Sequence, residues 1–195
     1  MKRFILILLF SVVFISCEGL FSTREAEPPE TQRSTWEAPF SPDMVLDNLR
    51  NAVLERNVDN FIRCLVDTSY GNRSYLFSPA EEILSTHPEL FKMWNKANEQ
   101  LVMQQVYSIL PEDSLVYLQY PVEVRDIVSA DSAVYDRQYH LEIHHINASL
   151  PTVYEGRMEL WIAPGETGEW AIYRWIDYSA TDFASWSFLK ASLGG

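Results

Sequence analysis

At Pro111 the apolar pattern of this chain changes period, and that change restricts the fold more than any other feature of the sequence. Before it, apolar residues recur at the spacing of amphipathic helices; after it, they alternate every second residue, as in half-buried strands. A chain whose helices come first and whose strands follow builds an α+β domain, with helices packed on one face of an antiparallel sheet. The composition permits such a core, since 47% of the 195 residues are hydrophobic and 22% are charged, ordinary values for a globular chain. A chain of this length normally forms one domain.

Ser41-Pro42-Asp43 reads as an N-cap, a proline at the first helical position and an acidic first turn, and Val45, Leu46, Leu49, Ala52 and Val53 follow at helical spacing. Asn57 breaks this helix, and Val58, Phe61, Ile62 and Leu65 mark a short second one that completes a hairpin. Ser78-Pro79-Ala80-Glu81 reads as a capping box, with Glu81 at N3, that opens a short helix ending near Ser85. Pro88 then starts a fourth helix, expected to run from Glu89 towards Tyr107 with Leu90, Met93, Trp94, Ala97, Leu101 and Gln105 on its buried stripe. Beyond Pro111 the alternation predicts four antiparallel strands, over 115–127, 133–146, 153–163 and 170–178. The last is apolar on both faces, which suits a strand covered on both sides or bent by a bulge.

The N-terminus carries a different signal. Lys2 and Arg3 precede an apolar run that stops at Cys17. A run of about 13 residues is short of the roughly 20 needed to span a bilayer as a helix, so it reads as an export signal. Phe14-Ile15-Ser16-Cys17 resembles the lipobox of bacterial lipoproteins. That resemblance implies a signal peptide over 1–16, lipid attachment at Cys17, and a protein held by a lipid anchor in the cell envelope, outside the cytoplasm. Phe14 stands where the family has Leu, Val or Ile, which leaves ordinary cleavage or an uncleaved anchor as alternatives. Residues 17–41, with Pro28-Pro29 and Pro39, have the composition of a tether, leaving 42–195 as the domain. Trp36 and Phe40 are expected to dock the end of the tether onto it.

Lys+Arg 15 against Asp+Glu 27 gives a net charge of −12, and loss of Lys2 and Arg3 leaves 13 against 27, or −14. Such an acidic surface disfavours nucleic acid as a partner. With Cys17 lipidated, Cys64 has no partner for an intramolecular disulfide. Its setting, Phe61-Ile62-Arg63-Cys64-Leu65, reads as that of a small core hydrophobe.

The segment Asn48-Leu49-Arg50-Asn51-Ala52-Val53-Leu54-Glu55-Arg56-Asn57-Val58-Asp59 resembles the opening of NTF2-like (nuclear transport factor 2, SnoaL-like) domains. Gly168-Glu169-Trp170-Ala171-Ile172-Tyr173-Arg174-Trp175-Ile176-Asp177 resembles their last strand, and the resemblance covers residues 42 to 190. It implies a cone in which a curved sheet of four or more strands wraps N-terminal helices and can leave a pocket at its wide end. The superfamily holds isomerases, dehydratases and cyclases as well as members that only bind or dimerise, so the fold does not decide between them. Enzymatic members place an Asp or His beside a donor such as Tyr, and no such pair can be matched here position by position.

Of the acid–base candidates, His145 alternates with Leu141 and Ile143, and Asp177 with Tyr173 and Trp175, on the face expected to look inward. Tyr117, Tyr139, Tyr173 and Trp175 are the candidate pocket residues, suited to a small apolar ligand or to donating a hydrogen bond to an oxyanion. The expectation is nevertheless a domain that binds a small apolar molecule or a protein partner, with a homodimer through the sheet as one form, and the isomerase or dehydratase type of enzyme as the alternative. His140, Glu142 and His144 share a strand face and invite a metal. Residues two apart on a strand are about 6.8 Å apart, and four apart roughly 13.5 Å, which is too far for both imidazoles to reach one ion. A cross-strand charge ladder is expected instead, with Glu142 opposite Arg157, His140 opposite Glu159 and His144 opposite Glu155. The sequence has no GxGxxG, GxxxxGK[ST], CxxC, HExxH or GxSxG pattern, so no cofactor and no metal is expected. Asn147-Ala148-Ser149 matches a glycosylation sequon, a pattern frequent by chance.

Overall fold

The computed structural model describes residues 34–67, 70–71 and 73–194. The signal segment over 1–16, Cys17 and the tether up to residue 33 lie outside the described residues. The remainder of the tether is fastened to the domain. Asn48 exchanges two hydrogen bonds with the backbone of Glu37, Trp170 N donates to Pro39 O at 2.7 Å, and the Arg63 guanidinium lies 4.0 Å over the Trp36 ring. Trp36 therefore docks, whereas Phe40 is 64% exposed.

Helix α1 (Pro42–Leu54) starts where the proline signal places it and buries Val45, Leu46, Leu49, Ala52 and Val53. Arg56 takes the left-handed turn after it (φ 53°). Asn57 caps α2 (Val58–Arg63), its side-chain oxygen accepting from Asn60 N at 2.9 Å. The next segment holds an element the sequence pattern does not announce, the short strand β1 (Leu76–Ser78). Ser78 is thereby the end of a strand and not a helix cap, and α3 (Glu81–Thr86) starts from Ala80 with no side-chain cap.

The expected fourth helix is two. After α4 (Pro88–Phe91) the chain is restarted at Asn95, whose side chain and that of Asn98 form a reciprocal capping box at the head of α5 (Lys96–Ser108). This break rephases the helix. Its buried residues are Glu99, Val102, Met103 and Val106, whereas Met93 (80% exposed) and Leu101 (43%) face outward, against the expected stripe.

Strands β2 (Val116–Val128), β3 (Ala133–Ile143), β4 (Val153–Pro164) and β5 (Trp170–Ser179) lie within a few residues of their expected bounds. With β1 they form a mixed five-stranded sheet among the described residues, in the order β1-β5-β4-β3-β2, with β1 parallel to β5 and every other pair antiparallel. Tyr135, Tyr139 and Leu141 of β3 and Tyr154, Met158 and Leu160 of β4 face the helices in one core with Leu49, Phe61 and Val102. The fold is an α+β cone with helices packed on a curved sheet.

Two register details differ from expectation. Glu155 stands opposite His140, Val153 opposite Glu142, and Arg157 opposite Gln138, so the ladder is displaced by four residues. The alternation fixes the face of each strand but not its slide, because a shift by an even number preserves every inside and outside assignment. In β5, Arg174 pairs with Trp161 but Ile172 pairs with Ile162, so Tyr173 is an inserted bulge residue. Ile172 and Trp175, three apart, are consequently both fully buried. This accounts for the two-sided apolar character of that strand.

Candidate functional site

A C-terminal helix for which the sequence reading has no counterpart closes the cone. In α6 (Trp186–Leu193), Ser185 is the N-cap, and Trp186, Ser187, Leu189 and Lys190 form the buried face. The signal was present: a capping serine ahead of apolar residues at helical spacing. Trp186 enters the core with its ring centroid 4.7 Å from Trp175 and 5.7 Å from Tyr139.

Two buried carboxylates of the cone receive donors from this helix, although Glu99 Oε2 is left without a hydrogen-bond partner. Asp177, 1% exposed, accepts at Oδ2 from Ser187 N (2.7 Å) and Ser187 Oγ (2.5 Å), and at Oδ1 from Tyr139 OH (2.9 Å). Tyr139 OH in turn accepts from Trp186 N at 2.7 Å, and Ser187 Oγ from Ala80 N at 2.9 Å. Burial pushes the Asp177 carboxyl above the ordinary carboxylate range, while the Ser187 and Tyr139 hydrogen bonds and the Lys190 charge pull it back. The second group is Glu99 of α5. Its Oε1 accepts from Lys190 Nζ (2.7 Å), Tyr75 OH (2.7 Å) and Trp94 Nε1 (2.8 Å). Glu99 and Lys190 are both fully buried. Burial also holds the Lys190 ammonium below the ordinary lysine range, opposed by the Glu99 carboxylate, and pushes the Tyr75 phenol well up.

Glu99, Lys190, Ser187 and Tyr75 were not singled out in the sequence, and Trp94 only as a core residue of the expected fourth helix. Glu99 and Lys190 are charged residues at core phases of their helices, and that phase becomes visible only once the break at Asn95 and the existence of α6 are known.

The candidates that the sequence does offer are dispersed. Tyr139 and Trp175 converge on Trp186. Tyr173, on the bulge, stands edge-on to Trp161 at 6.3 Å. Tyr117 sits edge-on to His144 at 6.2 Å, beside an open depression of about 500 Å³ that Asp113 and Leu115 also line. His145 lies beyond the end of β3, half-buried, with Nε2 2.9 Å from Pro151 O. It is not on the inner face with Asp177. The four aromatic residues thus do not line one cavity, because the bulge turns Tyr173 away from Trp175.

On the outer face, a groove of about 480 Å³ is lined by Gln119, Gln138, His140, Glu155, Arg157 and Ser179, among others. His140 Nδ1 is 2.7 Å from Glu155 Oε1, and His144 Nε2 is 2.9 Å from Glu142 Oε1. Arg157 pairs with Asp136 at 2.8 Å and stacks 3.8 Å over Tyr178. Among the described residues, no group of three or more His, Cys, Asp or Glu side chains is placed to hold a metal ion. Cys64 is buried, and burial pushes its thiol far above the range in which it would ionise at neutral pH.

Several solved structures share this architecture. A protein from Novosphingobium aromaticivorans, provisionally named an aromatic ring hydroxylase, aligns with a TM-score of 0.54 at 9% identity over 76% of this chain and 92% of its own. A second from that organism, provisionally named a scytalone dehydratase, aligns at 0.52 and 9% identity over 73% and 88%. A conserved protein from Planctomyces limnophilus aligns at 0.52 and 11% identity over 71% and 92%. The chain has an NTF2-like fold. No protein-family model and no curated protein matches the sequence significantly. At such identities the likeness is one of fold. Within this NTF2-like cone, both oxygens of Asp177 are occupied by the protein's own donors, and the side chains of α6 fill the space beside them.

Proposed function

We propose that this protein is a lipid-anchored lipoprotein of the bacterial cell envelope whose NTF2-like domain acts by binding a protein partner and not by turnover. The observation that carries the non-catalytic reading is the sealed state of Asp177, 1% exposed, with Ser187 and Tyr139 on its two oxygens. A general base needs an open oxygen within hydrogen-bond reach of a substrate proton, and here that position is taken by α6. The outer groove sets amide, imidazole, carboxylate and guanidinium groups among Pro121, Tyr139 and Ala180, a mixed polar and apolar surface of the kind that polypeptide partners bury. Anchoring rests on the charged n-region, the short apolar run and the lipobox-like Phe14 to Cys17. Among the described residues, no helix is long and apolar enough to cross a membrane.

Native mass spectrometry of the full chain, extracted from membranes in mild detergent, tests both parts. The expected result is a chain with a covalent lipid mass, lost in Cys17→Ser, associated with a second polypeptide. A reproducible added mass of roughly a few hundred daltons that leaves on unfolding would signify an occupied pocket and overturn the reading in favour of a small-molecule binder or enzyme.

A further inference from the structure

Lys190 is a cation carried into the centre of the core, and the groups that receive it come from everywhere except its own helix. Its Nζ donates to Glu99 Oε1 at 2.7 Å and stands 3.4 Å from the Phe77 ring centroid and 4.3 Å from that of Trp175. Glu99 belongs to α5, Phe77 to β1 and Trp175 to β5. Tyr75 OH and Trp94 Nε1 bond the same carboxylate oxygen, so the carboxylate is oriented independently of Lys190. Asp177 adds a second carboxylate whose charge acts on the ammonium.

Stripping an ammonium of water is costly, and a core position that only needs filling is served equally well by Leu or Met. A fixed carboxylate with aromatic faces around the cation is, in contrast, the arrangement by which proteins recognise ammonium ligands. We propose that the interior of this cone is an alkylammonium receptor occupied in cis by Lys190, and that a primary alkylamine takes the same place between Glu99, Phe77 and Trp175 when the Lys190 side chain is removed. The proposal is independent of the identity of any protein partner. It makes α6 a built-in ligand as well as a lid.

The test uses the full chain with Lys190→Ala, and n-propylammonium chloride, which replaces Cγ, Cδ, Cε and Nζ. The variant should melt below the wild type. Its melting temperature should then rise saturably with n-propylammonium, by about 5–10 °C at a hundredfold excess over Kd. Neither 1-propanol nor sodium chloride at equal concentration should reproduce the rise. Lys190→Met, which refills the volume, and Lys190→Ala with Glu99→Gln, which removes the counter-charge, should both be indifferent to the amine. The proposal is overturned if Lys190→Ala shows no saturable rise, if it stays unfolded at every amine concentration, if 1-propanol works as well, or if the double variant responds equally.

Discussion

Replacing Gly156 by alanine probes the close approach of the Tyr139 ring and of β5 to β4, beneath the hydrogen bond that Tyr139 accepts from α6. Gly156 lies in β4 opposite Tyr139 of β3 and Ser179 of β5, and the Tyr139 ring lies across it. A Cβ at this position would stand 2.4 Å from the Tyr178 carbonyl oxygen, 2.6 Å from Tyr139 Oη and 2.8 Å from Tyr139 Cζ. The carbonyl belongs to the neighbouring strand and cannot retreat without disturbing the ladder, so both the β4–β5 pairing and the tyrosine ring must give. Its withdrawal breaks the 2.9 Å bond to Asp177 and leaves Trp186 N–H, now bonded at 2.7 Å, without its acceptor. Overpacking costs about 1–3 kcal/mol, and a stranded buried polar group about 1–3 kcal/mol more, giving about 2–6 kcal/mol in all. Urea denaturation followed by tryptophan fluorescence measures it. Tyr139→Phe supplies the second side of a double-mutant cycle. Because both substitutions break the same hydrogen bonds, the double variant should cost less than the sum of the two by about 1–2 kcal/mol. A Gly156→Ala protein within about 1 kcal/mol of wild type, or a strictly additive cycle, would refute the account.

Two further expectations concern the whole domain. Burial pushes the pKa values of Cys64, Tyr75, Tyr107 and Tyr139 upward in the folded chain, holding these groups protonated. Above the free-thiol and free-phenol values of 9.0 and 10.0, the unfolded chain therefore binds fewer protons than the folded one. Stability should fall there, by about 1.4 kcal/mol per pH unit for each group. Lys96 and Lys190, lowered by burial, act in the opposite sense up to their ordinary 10.5. Urea midpoints measured from pH 8 to 11.5 should accordingly turn down above about pH 10, and a rising midpoint across that range would contradict the burial of these groups. Asn95→Ala removes the cap that restarts α5 and should cost about 1 kcal/mol, read from the same denaturation; no loss would mean that the helix break is held by packing alone.

The change of period at Pro111 determines the architecture, because one face of each strand and one stripe of each helix must leave water whatever their neighbours are. Hence the bounds of β2 to β5 and the start of α1 are legible from local pattern. The expectation of an N-terminal leader, which falls outside the described residues, likewise rests on local composition alone. The pairing of β1 with β5, the slide of β4 against β3 and the bulge at Tyr173 are settled by long-range packing, for which a period-two pattern holds no information beyond the choice of face. The interior polar cluster depends on such facts most heavily. Asp177 is visible in the sequence as an inward carboxylate, but its partners come from α6, ten residues on, and from Tyr139, thirty-eight residues back. Glu99 and Lys190 are separated by ninety-one residues. In a local pattern each is one more solvated charge; only the closed cone, which deprives both of water at once, turns them into a pair.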